Sequence, residues 1–357
     1  MKRGAYNVKR PSIKDVAREA GVSTATVSYV LNNRPGETIS AETTARVQEA
    51  VVKLQYVPNL NARSLPSRRT NLIGVVIPQT EPGKEFMFSN PFYGELLSAV
   101  EYTARKSGYH LLLSGMETDQ SYLHIARNRG VDGIIIVGTY PSSNLDELRQ
   151  TGIPVVLVDT YIQDSSFHTI GIHDREGGRM AVRYLLGKGH RRIAFISGSI
   201  QENGVNEKRY RGYREALEEA GVPFDPRWVY SGNVDYAYGV EAAEEMARRG
   251  GTETAAFVTA DVLGMGLVKG LHRMGRVLPR DLSIVSFDDV YLAQMAEPSL
   301  TTVHQDITLK GESAVRMILR DTTEGVRERQ ELILPIRIVE RGSVKDLNDP
   351  NSPRAKD

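Results

Sequence analysis

Ser12-Ile13-Lys14-Asp15-Val16-Ala17-Arg18-Glu19-Ala20-Gly21-Val22-Ser23-Thr24-Ala25-Thr26-Val27-Ser28-Tyr29-Val30-Leu31-Asn32 holds two short helical patterns separated by a tight break. Ile13, Val16, Ala17 and Ala20 share one face at helical spacing. Ser12 is a good N-cap, and Asp15 three residues on completes a capping box. Gly21 ends this helix where the turn needs a residue tolerant of positive φ. Val22 is the apolar residue of the turn and Ser23 caps again. Val27, Val30 and Leu31 give the second helix its buried stripe, and Asn32-Asn33-Arg34-Pro35-Gly36 closes it with turn residues. Ser40 caps a third helix carrying Val47, Val51 and Leu54. Helix, glycine turn, helix is a helix-turn-helix, with the third helix completing a small core. An ordinary three-helix bundle would use the same turn, so the pattern alone does not select DNA.

Charge separates those readings. The 357 residues carry a net charge of +1. Residues 1–69 hold 12 Lys and Arg against 5 Asp and Glu, a balance of +7, and the remainder balances at −6. A basic head on an acidic body suits a polyanion partner. On the second helix Thr24, Ala25, Ser28 and Tyr29 stand near the N-terminal end, where side chains reach base edges in a major groove. Thr26 and Asn32 complete the DNA-facing set, and Ser23 with the helix's first amides suits phosphate.

Composition excludes much else. At 40% hydrophobic the chain has apolar residues enough for about two lobes besides the head. It has no cysteine, which rules out disulfides, thiolate metal sites and cysteine nucleophiles and makes a reducing interior the natural address. No run approaches the ~18–20 apolar residues of a membrane span. The basic first residues lead into no apolar stretch, so neither a signal peptide nor a membrane partner is expected, and the location expected is cytoplasmic.

From Asn71 the pattern changes. Strand-like runs at 72–77, 109–114, 132–137 and 154–158 alternate with helical patterns at 92–107, 119–129 and 143–151. A second series follows, with strands at 192–197, 228–231, 255–258 and 283–287 and helices at 175–187, 207–220, 236–249 and 262–275. This alternation predicts an α/β body of two doubly wound parallel sheets, with a ligand crevice between lobes at the strands' carboxyl ends. Asp159 and Asp288 each end a strand, Arg209 opens a helix, and Asp261 follows strand 255–258. Carboxylates and a guanidinium each hold two hydroxyls of a polyhydroxylated ligand. Phe92 and Tyr93 offer a stacking face. Taken singly, each acid serves equally well as a helix cap or an interlobe salt bridge.

Catalytic motifs are missing. There is no G-x-x-x-x-G-K-[ST], H-E-x-x-H or G-x-S-x-G, and the seven histidines show no metal-ligand spacing. Gly264-Met265-Gly266 with Gly270 fails the dinucleotide fingerprint, because Lys269 stands at the third glycine position, so close helix packing is expected there. His190 is expected to end a helix favourably. No enzyme, cofactor or metal is expected.

The quoted stretch resembles the headpiece of the lactose-repressor family, and Tyr56-Val57-Pro58-Asn59-Leu60-Asn61-Ala62-Arg63-Ser64-Leu65 resembles that family's hinge. Asn90-Pro91-Phe92-Tyr93, Val131-Asp132-Gly133-Ile134-Ile135, Arg209-Tyr210-Arg211-Gly212-Tyr213 and Ser286-Phe287-Asp288-Asp289 are similar to its effector domain. The resemblance runs from about 12 to 343. It implies a homodimeric repressor on a pseudo-palindromic double-stranded operator, controlled by a small effector such as a sugar. It implies a hinge in the minor groove, with Asn59 starting the helix, Ala62 packing close and Leu65 wedging between base pairs. It implies effector contacts at Asp159, Arg209 and Asp288, and a body related to periplasmic sugar-binding proteins. The organisation expected is a headpiece over 1–57, a hinge over 58–69, an effector domain over 70–343 and a disordered tail over 344–357. Lobe 1 is expected at about 70–172 and 305–330, lobe 2 at 173–304 and 331–343.

The chain departs from the family pattern at several positions. Tyr29 stands where many members have a guanine-reading arginine, Pro66 follows the wedge, and Ala260 replaces a ligand-binding asparagine. The tail lacks the leucine heptads that make some members tetramers. A phosphoprotein corepressor or a non-sugar metabolite is the alternative control, and a sugar-binding transport protein the remoter one.

Overall fold

The computed structural model describes residues 11–32, 39–57, 69–78, 87–116, 121–123, 125–126, 130–138, 145–162, 164, 166–325 and 328–349. The chain divides into two compact units, Met1–Thr70 and Asn71–Asp357.

In the first unit, helices α1 (Ile13–Ala20), α2 (Thr24–Asn32) and α3 (Ala41–Lys53) form as the sequence predicts. The Ser12 backbone N–H donates to Asp15 Oδ2 at 2.9 Å. Gly21 ends α1 at φ +63°, a conformation that would strain a residue with a Cβ. Ser23 Oγ accepts from Thr26 N at 3.0 Å, and Ser40 Oγ from Thr43 N at 3.2 Å, so each later helix has its cap. Val16, Val27 and Val47 are fully buried, with Ala17, Ala20 and Ala50 closing the core around them.

The second unit holds two six-stranded sheets. The first contains β1 (Leu72–Pro78), β2 (His110–Met116), β3 (Gly133–Val137), β4 (Val155–Val158), β5 (His168–Ile172) and β11 (Glu331–Leu334), in the order β11-β5-β4-β3-β1-β2. The second contains β6 (Ile193–Gly198), β7 (Val229–Gly232), β8 (Ala255–Val258), β9 (Ser283–Asp288), β10 (Thr301–Gln305) and β12 (Ile336–Val339), in the order β12-β10-β9-β8-β6-β7. All pairs are parallel except β10–β12. Strands β3, β4, β6, β8 and β9 are buried along their whole length, which is what helices on both faces impose. The helices are α4 (Pro91–Lys106), α5 (Asp146–Arg149), α6 (Asp174–Gly187), α7 (Val205–Glu219), α8 (Tyr236–Arg248), α9 (Asp261–Arg273), α10 (Tyr291–Met295) and α11 (Ile307–Glu324). Gly266 does lie against Gly239 where α8 and α9 touch.

The chain passes between sheets after β5, after β10 and between β11 and β12. The last crossing corrects the expected lobe boundary. Residues 331–334 pair with β5 in the first sheet, so the crossing falls at Pro335 and not at 330. The tail needs correcting too. Residues 344–349 are docked: Lys345 is buried, its N–H donates to Ser283 Oγ at 3.0 Å, and Leu347 N donates to Lys188 O at 2.8 Å. His190 belongs to this dock. Its Nε2 lies 3.1 Å from Lys345 O and its Nδ1 3.0 Å from Thr254 Oγ1. Burial holds its pKa below the ordinary value, so it acts as a neutral clamp, not as a charge at a helix end. Most of the helix expected over 119–129, and residues 350–357, lie outside the described residues.

Candidate functional site

The head and the body each present one candidate surface. Ser23 at the cap of α2 and Thr24 and Ala25 in its first turn are exposed, while Thr26, Ser28 and Tyr29 are half-buried beside Val27. A helix whose N-terminal end carries exposed small polar residues can enter a groove closely. The Asn32 side chain, with Asn59, Ala62 and Leu65 of the hinge, lies outside what the structure describes. Lys53, a basic residue that would suit phosphate, is paired with Glu19 at 2.5 Å.

In the body the strand ends converge on one cleft. Val137 and Gly138 at the end of β3, Asp159 after β4, and Phe92 and Tyr93 on α4 line its first side. Asn206 and Arg209 on α7, Thr259 and Ala260 after β8, and Asp288 ending β9 line the other. Gln305, at the end of β10, joins the two.

Close helix packing puts Arg209 there. A Cβ on Gly212 would sit 2.0 Å from Arg175 O, and one on Gly178 2.3 Å from Arg209 O, so α6 and α7 meet backbone to backbone. That contact brings Arg209, only 5% exposed, to Asp174 at the start of α6. Its Nε donates to Asp174 Oδ1 at 2.8 Å and its Nη1 to Thr259 O at 2.5 Å. Asp288 Oδ1 lies 3.8 Å from Nη1, and the guanidinium sits 3.6 Å above the Phe287 ring. Gln305 Nε2 donates to Asp288 Oδ1 at 2.7 Å. On the other side Lys310 Nζ donates to Asp159 Oδ1 at 2.6 Å. Asp159 and Asp288 both have positive φ, 52° and 105°, which turns each chain sharply as it leaves its strand. Phe92 and Tyr93 pack edge to face with centroids 5.5 Å apart.

Five of the six body residues expected at the site are together, and Asp261 is not. It is fully buried beneath the cleft, accepting from Ser286 Oγ, from Thr302 Oγ1 at 2.9 Å and from Val290 N at 2.9 Å. As the first residue of α9 it turns back into the lobe, where it ties β9, β10 and the start of α10 together. Burial and the neighbouring Asp288 push its pKa up. Sequence reasoning missed Asp174, Asn206, Thr259, Gln305 and Lys310. Asn206 lies one turn before Arg209 on α7, a signal that the spacing carried.

Burial raises the pKa of Asp288 to about 7 against the opposing pull of Arg209, Gln305 and Lys310, and burial raises that of Asp159 against Lys310. The Thr259 hydroxyl, 1% exposed, has no hydrogen-bond partner among the described residues. The cleft therefore offers carboxylate acceptors, guanidinium and amide donors and an aromatic wall. No group of His, Asp and Glu among the described residues could hold a metal. No helix among them is long and apolar enough to cross a membrane.

Residues 12–59 match the description "Bacterial regulatory proteins, lacI family", and residues 182–344 match a periplasmic binding protein-like domain. The chain is 34% identical to catabolite control protein A of Priestia megaterium over 94% of this chain and 99% of that one. It is 33% identical to the HTH-type transcriptional repressor PurR of Vibrio atlanticus over the same shares. Among solved structures, the lac repressor dimer bound to operator and an anti-inducer superposes with a TM-score of 0.80 at 25% identity, covering 94% of this chain and 99% of that one. A complex of the transcriptional regulator CelR with cellobiose gives 0.67 at 30% identity, covering 94% and 100%.

Proposed function

The chain belongs to the lacI family of bacterial regulatory proteins, and on that premise we propose that it is a homodimeric repressor released from or recruited to its operator by a neutral, polyhydroxylated effector. Its relatives are transcriptional regulators and not enzymes, and the same holds for this chain. The observation that carries the effector reading is the floor of the cleft. Asp159, bonded to Lys310, and Asp288, bonded to Gln305, line one cleft together with Arg209 and Thr259. Vicinal hydroxyls satisfy such a floor, while Phe92 and Tyr93 cover the apolar face of a sugar ring. The relative solved with cellobiose supports this class. Dimerisation has a surface available: Tyr102 on α4 and Leu113 on the edge strand β2 are both about half exposed.

Calorimetry of the full chain with mono- and disaccharides, and with nucleobases as the contrast, tests the effector class. Heat with sugars supports it, and heat only with nucleobases overturns it. The affinity is expected to depend on pH. Hydroxyl donors favour ionised carboxylates, and the Asp288 pKa is raised, so effector binding expels a proton and tightens as pH rises from about 6 to 8. The sign for the unliganded body is opposite. A carboxyl with a raised folded-state pKa contributes stability at low pH that is lost as pH rises through about 7. Thermal melts with and without effector at pH 6 and 8 check both signs.

On the DNA side, base preference rests on Thr24, Ala25 and Tyr29 at the front of α2. Tyr29→Ala is expected to relax preference at one step of each half-site, by about 1–3 kcal/mol. A selection experiment on randomised operators checks this. An unchanged preferred sequence would show that Tyr29 reads no base.

A further inference from the structure

Lys310 is fully buried on α11, yet its ammonium serves three groups that line the effector cleft. Nζ donates to Asp159 Oδ1 at 2.6 Å and to Gln305 Oε1 at 2.5 Å, and lies 5.5 Å from the centre of the Phe92 ring. A buried ion pair is a weak source of stability, because apolar residues of similar volume commonly do as well or better. The reason for a lysine here therefore lies in what it does to its partners.

Asp159 and Asp288 line this cleft, Asp174 meets Arg209, and buried Asp261 adds a fourth carboxylate next to Asp288. Arg209 opposes them, bonded to Asp174 and 3.8 Å from Asp288. Tyr161 adds a neutral hydroxyl, 2.5 Å from Asp174 Oδ2. Without Lys310 one guanidinium would face these buried carboxylates alone, and Asp159, which Arg209 does not touch, would take up a proton. A protonated carboxyl is a donor as well as an acceptor. It would then accommodate carbonyl or ether oxygens, which an ionised carboxylate repels. With Lys310 in place Oδ1 is occupied, and Oδ2, bonded by no described residue, is left to accept from a ligand.

Taking the cleft as the effector site proposed above, we propose that Lys310 is a specificity-determining positioning residue: it keeps Asp159 an acceptor-only carboxylate and so selects ligands that present a hydroxyl or amine donor to that corner. Lys310 acts through Asp159 and does not itself touch the ligand. Gln305, bonded both to Lys310 and to Asp288, extends the same control across the crossover to the second lobe.

The test uses the full chain and three variants: Lys310→Met, which keeps the length of the side chain without its charge, Asp159→Asn, and the two combined. The first readout needs no ligand. In a carbon-13 NMR titration, the Asp159 carboxyl signal, assigned by its loss in Asp159→Asn, is expected to move its midpoint up by about one pH unit or more in Lys310→Met. The second readout is calorimetry at pH 7 with cellobiose, glucose and ribose as probes. The sugar that wild type binds is expected to bind Lys310→Met about tenfold or more weakly. The double variant should be no weaker than Asp159→Asn alone. Equal titration midpoints in wild type and Lys310→Met would overturn the proposal, as would losses that add in the double variant. If wild type binds none of the three sugars, the effector reading fails for them while the titration still decides the role of Lys310.

Discussion

Arg209→Met is expected to uncouple the body from its effector. Operator affinity should no longer change when effector is added, and effector binding should weaken by about 100-fold or more, the equivalent of about 2.7 kcal/mol. The side chain is buried and bonded to Asp174 and to Thr259 O, with Asp288 3.8 Å away, and Asn206 stands one turn earlier on the same helix. Removing the guanidinium leaves two buried carboxylates without their counter-charge. Breaking a buried pair from one side costs about 3–5 kcal/mol, so the body should also unfold at lower denaturant. That loss should be smaller at pH 6 than at pH 8, because protons can replace the missing cation. Lysine is a poor substitute, since its single ammonium cannot span Asp174 and the Thr259 carbonyl together. Urea titration at the two pH values, followed by effector calorimetry where the variant is folded, checks the result. A variant that still answers effector like wild type would show that the guanidinium does not organise this site.

Val27→Asp should remove operator recognition and spare everything else. Val27 is fully buried among Val16, Val47 and three alanines, a core too small to move aside. An unpaired buried carboxylate costs several kcal/mol, comparable with the whole stability of so small a unit, at roughly 0.05–0.15 kcal/mol per residue. Specific binding should fall by about 1,000-fold or more, to the non-specific level. The body forms a compact unit of its own from Asn71, so its effector binding and thermal transition should be unchanged. Val27→Thr, nearly isosteric with one hydroxyl, should fall between the two. Fluorescence anisotropy with a labelled operator, read beside body calorimetry, checks both halves. Intact operator binding by Val27→Asp would place recognition outside the three-helix head.

The sequence was most legible where structure is local. Ser12, Gly21, Ser23 and Ser40 signal their turns within four residues, and the strands of the body read as apolar runs because both faces are covered. Elements whose burial comes from afar were harder. Strand β5 begins at His168, which reads as a surface residue until Asp321 on α11 meets its Nε2 at 2.8 Å. Lys310 looks like the polar side of an amphipathic helix, and its partner Asp159 lies 151 positions away. Asp261 misled for the complementary reason. A carboxylate after a strand end can face the cleft or turn beneath it, and only the hydroxyls of Ser286 and Thr302 decide which. The tail was read from its prolines and charges, while its docking depends on Ser283, Lys188 and His190.

The most direct test of a ligand-controlled repressor is operator binding by the full chain at several salt concentrations, with and without the sugar that calorimetry identifies. The labelled DNA would be selected from upstream genomic fragments. The expected result is sequence-selective, salt-sensitive binding by a dimer, with an affinity that the effector shifts by about 5- to 150-fold, the range of a 1–3 kcal/mol coupling. Binding that is equally weak on every sequence, or selective binding that no effector moves, would contradict it.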